Sequence, residues 1–258
     1  MSGIHLRHWP GDPDRPALAL HCMLGSGSYW GPIARHLDGR IDLRGFDMPG
    51  HGRSDNWNPA SDDPDLHTAV TRIAASFIQR PLDLIGHSFG ATVALRIAVA
   101  APDAIRSLTL IEPVLFAAAP DAAQDALDNR MAKAVHAGDD EGAARAFLSV
   151  WGAEDPANLP PAVMEQMTRR IGMVVQTQYA LHGDSGRILR EGGLEAIDAP
   201  VLIISGADSP PVIRDISDAL AERLPDVGRA NVPAAGHMLP VTHPEEVAGL
   251  IAVNLDRA

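Results

Sequence analysis

Short apolar runs alternate with longer stretches that carry apolar residues at helical spacing. The short runs predict strands at Ile4–Trp9, Ala17–His21, Ile41–Asp47, Leu82–Gly86, Ser107–Glu112, Val201–Gly206 and Gly228–Val232. The longer ones predict helices over Leu66–Gln79, Ser88–Ala101, Val212–Leu224 and Glu245–Leu255. Such βα alternation predicts an α/β fold, a mostly parallel sheet flanked by helices. The alternation lapses between about Phe116 and Ala196. That stretch is Ala-rich and helix-favouring, is punctuated by Pro156, Pro160 and Pro161, and contains no convincing strand. It reads as three or four inserted helices lying over the C-terminal edge of the sheet, where open α/β folds place their ligands. Neither an internal repeat nor a low-complexity tract is visible.

Composition narrows the class. Hydrophobic residues make up 46% and charged residues 21%, as in ordinary globular proteins. Acidic side chains outnumber basic ones by 33 to 21, a formal charge of −12 that repels phosphate backbones and argues against nucleic acid as a partner. Cys22 is the single cysteine, which excludes an intrachain disulfide and a cysteine metal cluster. No run approaches the length of a membrane span, and Met1–Trp9 lacks the basic and apolar regions of a leader, so a soluble, cytoplasmic protein is the expectation.

The strand Leu82–Ile85 runs directly into Gly86-His87-Ser88-Phe89-Gly90 and then into a helix. This is G-x-S-x-G in the strand–turn–helix setting that gives the pattern its meaning. The turn strains the serine backbone and projects its hydroxyl into open space, and the flanking glycines remove side chains that would collide. A helix N-terminus below favours negative charge. A serine hydroxyl needs a base to accept its proton. Among eleven histidines, His237 stands out, in Ala235-Gly236-His237-Met238 between the last strand and the last helix. Developing negative charge on a carbonyl oxygen needs preorganised N–H donors, of which the backbone N–H of Phe89 is one.

These motifs, with Asp47-Met48-Pro49-Gly50-His51-Gly52-Arg53-Ser54, resemble the α/β-hydrolase superfamily in order and spacing over nearly the whole chain. The resemblance implies a core of residues 1–115 and 197–258, with an all-helical cap at 116–196. It implies that the His51 segment is structural, and that the second oxyanion donor follows the Ala17–His21 strand. Relatives carry His-Gly before that donor. Here His21-Cys22 precedes Met23, which is the matching donor. A thiol-nucleophile role for Cys22 is weaker than simple packing at a strand end.

The third member of a Ser-His-acid triad is open. Relatives commonly place the acid in a G-x-x-D turn after the strand that follows the cap. Gly206-Ala207-Asp208-Ser209 puts serine in that slot and Asp208 one residue early. Glu112, at the tip of the strand after the nucleophile helix, is the preferred acid; certain dehalogenases of the superfamily supply theirs from that strand end. Cap residues around Phe147–Trp151, with Met164, Met167, Met173, Val174 and Val175, suggest a pocket for an uncharged, largely apolar group.

The leading expectation is a carboxylesterase acting on a small uncharged ester through an acyl-enzyme. A lactonase, thioesterase or carbon–carbon bond hydrolase uses the same parts, and a non-catalytic binding relative is the alternative outside enzymology. A serine nucleophile argues against dehalogenase and epoxide hydrolase chemistry, which in this superfamily uses aspartate. No metal motif or phosphate-binding glycine loop is present, Gly25-Ser26-Gly27 belonging to the oxyanion loop, so no cofactor or metal is expected.

Overall fold

Strand residues that alternate between two apolar faces need cover on both, and the computed structural model supplies it in three layers. The structure describes residues 3–258; Met1 and Ser2, at the start of the stretch read above for a leader, lie outside the described residues. Seven strands form one sheet: β1 (Leu6–Trp9), β2 (Pro16–Leu20), β3 (Asp42–Phe46), β4 (Leu82–His87), β5 (Ile105–Ile111), β6 (Val201–Gly206) and β7 (Val227–Val232). Their order is β1-β3-β2-β4-β5-β6-β7, parallel throughout except where β1 pairs antiparallel with β3. The helices are α1 (Trp30–His36), α2 (Leu66–Ser76), α3 (Phe89–Ala100), α4 (Ala122–His136), α5 (Asp140–Trp151), α6 (Pro161–Gly183), α7 (Pro211–Ala221), α8 (Leu239–Thr242) and α9 (Pro244–Leu255).

Side-chain parity decides which helix covers which face. Leu18, Leu20, Leu84, Leu108, Leu110 and Ile203 enter one core with α2, α3 and α7. Ala17, Ala19, Ile85, Ile111, Leu202 and Ile204 enter the other, with α1 and α9. The apolar pattern along the chain does not predict α1. Its seven residues are too few to be stable alone, and Gly31 and Pro32 mask its pattern. Trp30, Ile33 and Leu37 nevertheless lie one above another and are buried. At about 1.5–3 kcal/mol for each large apolar side chain, that burial offsets the poor local propensity.

Between β5 and β6 the chain forms three helices, α4 to α6. Asp121 and Asp139 cap the first two by accepting from the N–H of Gln124 and Gly142, and Pro161 opens the third. α4 and α6 are clasped by a largely buried polar cluster. Asp128 accepts from the amides of Gln124 (2.9 Å) and Gln178 (2.8 Å) and pairs with His182 (2.7 Å). Among the described residues no helix is long and apolar enough to cross a membrane.

Candidate active site

Parallel strands bring their C-terminal ends to one edge, and there β4, β5 and the loop after β7 deliver three polar side chains to each other. Ser88 follows β4 with φ 56° and ψ −120°, a left-handed conformation that a residue with a Cβ rarely adopts. Its N–H donates to the Ile111 carbonyl (2.8 Å), and its carbonyl accepts from Ala91 in α3. Those bonds hold the strain. A Cβ at Gly86 would strike the backbone of Gly90 and Ala91, and one at Gly90 would strike the carbonyl of Leu20. The turn therefore needs glycine at both flanks.

Ser88 Oγ lies 2.9 Å from His237 Nε2, and His237 Nδ1 lies 2.9 Å from Glu112 Oε2. A carboxylate only accepts, so Nδ1 carries the proton and Nε2 offers a lone pair to the serine hydroxyl. Glu112 is fully buried just beyond β5, itself at positive φ (51°), and its Oε1 accepts from the N–H of Gly206 at 2.7 Å. The turn after β6, where Asp208 was the alternative acid, thus presents a donor to an acid from the neighbouring strand. Asp208 is exposed, and its side chain has no hydrogen-bond partner among the described residues. Among the described residues no hydrogen bond joins it to His237, whose Nδ1 is taken by Glu112.

Trp151, at the end of α5, packs on His237 in a T-shaped contact with ring centroids 4.6 Å apart and screens it from water. An apolar cavity of about 310 Å³ opens from Ser88 and His237 past Phe147, Leu148, Trp151, Val163 and Met167 to Val241. A second recess of about 40 Å³, also touching Ser88 and His237, runs inward past Phe116 and Val174 to Gln124 and Asp128. Val174 and Met167 thus reach the site, but Met164, Met173 and Val175 do not line it; Met173 packs over Gly50.

Met23 and Phe89 border these cavities, Phe89 at the N-terminus of α3. Neither backbone N–H has an acceptor among the described residues. Cys22 is buried, which pushes its thiol up to about 12 and leaves it protonated at neutral pH. Among the described residues no three His, Cys, Asp or Glu side chains are grouped to hold a metal ion. Sequence reasoning missed His87 and Tyr29. Neither stands in a spacing that marks it, and their partners lie in distant segments.

The family model for the alpha/beta hydrolase fold matches residues 17–244. The chain belongs to that family. As a member of it, the chain is a hydrolase, similar to the lipase LipV of Mycobacterium tuberculosis (27% identical over 258 residues, covering 96% of each chain). It is also similar to a pimeloyl-[acyl-carrier protein] methyl ester esterase of Methylococcus capsulatus (29% identical, covering 87% of this chain and 88% of that protein). In fold this hydrolase resembles MGS-M2, an alpha/beta hydrolase enzyme from a Medee basin deep-sea metagenome library, with a TM-score of 0.76 at 15% identity, covering 99% of this chain and 94% of that one.

Proposed function

We propose that this hydrolase cleaves carboxylic esters of small, uncharged, largely apolar molecules through a Ser88–His237–Glu112 triad. One observation carries the reading: an unbroken hydrogen-bond line from Ser88 Oγ through His237 to a buried Glu112, opening on an apolar cavity. Ser88 Oγ attacks the ester carbonyl while His237 Nε2 takes its proton. Charge that gathers on the carbonyl oxygen is received by the N–H groups of Met23 and Phe89. His237 then gives its proton to the departing alcohol, leaving an acyl group on Ser88. Water, deprotonated by the same histidine, attacks the acyl carbon and releases the acid. Glu112 holds the Nδ1–H tautomer and stabilises the cationic ring without taking its proton.

Residues 116–196 act as a cap whose apolar side chains select the substrate, and the lining of the larger cavity, mostly apolar with Glu154 among it, supports an occupant without negative charge. A fluorophosphonate probe tests the reading. Wild-type protein is expected to be labelled and to hydrolyse short aryl esters, and Ser88→Ala to do neither. Labelling or turnover that survives Ser88→Ala would remove Ser88 from the mechanism.

A further inference from the structure

The loop after β2 has to present one backbone N–H while the N–H groups on either side of it stay paired. Cys22 N–H donates to Tyr29 Oη (2.9 Å), and Leu24 N–H donates to His51 Nε2 (3.0 Å). The Cys22 carbonyl accepts from His21 Nδ1 (2.7 Å) and from the N–H of Gly25 (3.2 Å). Leu24 sits at φ 61°, where a side chain is strained, so the loop needs external support. In this run only the Met23 N–H is left without an acceptor among the described residues.

The support comes from three imidazoles of different origin. His21 donates from Nδ1 to Cys22 and accepts at Nε2 from the N–H of Met48 (2.9 Å). His51 donates from Nδ1 to the Pro49 carbonyl (2.9 Å) and accepts at Nε2 from Leu24. In both rings one nitrogen meets a carbonyl and the other a backbone N–H, so only one tautomer satisfies both sides. His87 donates from Nε2 to the carbonyl of His237 (2.9 Å), and its Nδ1 accepts from the Tyr29 hydroxyl (2.9 Å). That leaves the Tyr29 oxygen to accept from Cys22. The direction of each bond is therefore set from Cys22 through Tyr29 and His87 to His237. Burial favours the uncharged ring in each case, pushing His21 down to about 4, His51 to about 3 and His87 well below the usual histidine range.

We propose that His21, His51 and His87, the last acting through Tyr29, form a hydrogen-bond cradle that positions the Met23 N–H against the reacting carbonyl oxygen. They are positioning residues, not catalytic ones. His87 has a second part, because it stands next to Ser88 and also holds the backbone of His237. The donor loop, the nucleophile turn and the base loop are thereby registered on one side chain. This inference rests on the ester-hydrolase reading with Met23 as a donor.

Kinetics with a trifluoromethyl ketone, which adds to a catalytic serine as a tetrahedral mimic, provide the test. Tyr29→Phe removes one oxygen and leaves both Cys22 N–H and His87 Nδ1 unpartnered. It is expected to lower kcat by about tenfold, a fraction of what deleting a whole oxyanion donor costs. KM should stay within about twofold, and trifluoromethyl ketone affinity should fall by the same factor as kcat. His51→Leu should act alike, whereas His51→Gln, whose Oε1 can accept from Leu24 N–H, should recover most of the loss. Nitrogen-15 NMR of the wild-type histidines at neutral pH should report Nδ1–H for His21 and His51 and Nε2–H for His87. A cationic ring or the opposite tautomers would overturn the cradle, as would folded Tyr29→Phe and His51→Leu proteins with unchanged kcat and analogue affinity. If wild type shows no Ser88-dependent turnover, the ester-hydrolase reading fails instead, and the NMR arm still decides the hydrogen bonds.

Discussion

Glu112 is the residue on which the proposed chemistry of His237 depends. Its two oxygens divide the work, Oε1 accepting from Gly206 N–H and Oε2 receiving His237 Nδ1–H. Glu112→Gln keeps the volume but brings an amide that can donate to Nδ1, which favours the tautomer with a proton on Nε2 and no lone pair for Ser88. Turnover is expected to fall by about 10³–10⁴-fold, the scale of a triad acid replaced by its amide. Asp208→Asn should leave kcat within about twofold, since that carboxylate faces solvent. Steady-state rates of the two variants decide between the acids, and the reverse ranking would return the role to Asp208.

At the scale of elements, the three helices between β5 and β6 carry the site's walls, and their own cohesion depends on the clasp around Asp128. Its hydrogen bond to His182, aided by the charge of a second carboxylate at Asp125 and opposed by partial burial, raises the histidine above its usual range. The sign follows directly. A histidine held more tightly protonated when folded adds stability that is fully present below its unfolded pKa of about 6.5. That stability is lost as pH rises through the folded value. His182 is partly exposed, so solvent screening keeps the effect modest. Protection factors of α4 amides, which remove the base catalysis of intrinsic exchange, are expected to fall as pH rises above about 6.5. In His182→Asn these protection factors should be nearly independent of pH over the same range; an unchanged pH response there would assign the effect to another group.

For the whole molecule, neutral buried histidines make acid the weak side. His21 and His67 are pushed down to about 4 by burial and His51 to about 3, and His87 lies well below its usual range. Here the sign is opposite to that of His182. Below about pH 6.5 the unfolded chain takes up protons that the folded chain refuses, so stability drops as pH falls. Each such histidine contributes a slope on the order of 1 kcal/mol per pH unit until its folded pKa is reached. Four together rival the whole stability of a typical domain within a few units. Urea midpoints are expected to fall steeply between about pH 7 and pH 5. His67→Gln should flatten that slope, and an unchanged slope would place the acid sensitivity elsewhere.

Much of this architecture was legible along the chain because its signals are local. Short apolar runs located every strand within a residue or two, as Leu82–Gly86 against the observed Leu82–His87 shows. Ser88 was legible because strand, glycine turn and helix are contiguous, and backbone sterics act over a few residues. His237 was legible from its place in the order of elements. α1 was not, because a short helix containing glycine and proline owes its existence to the sheet face that buries Trp30 and Ile33. Two acids competed in the sequence because Glu112 and Asp208 both stand just past neighbouring parallel strands. Glu112 is brought to His237 by the positive φ after β5 and by the Gly206 N–H that receives its other oxygen, contacts between segments roughly a hundred residues apart. His87 likewise is placed by Tyr29 and His237, 58 and 150 residues away, and His21 and His51 by loops 27 residues away. Residue identity sets what each ring can donate or accept, and the packing of distant loops sets which groups it meets.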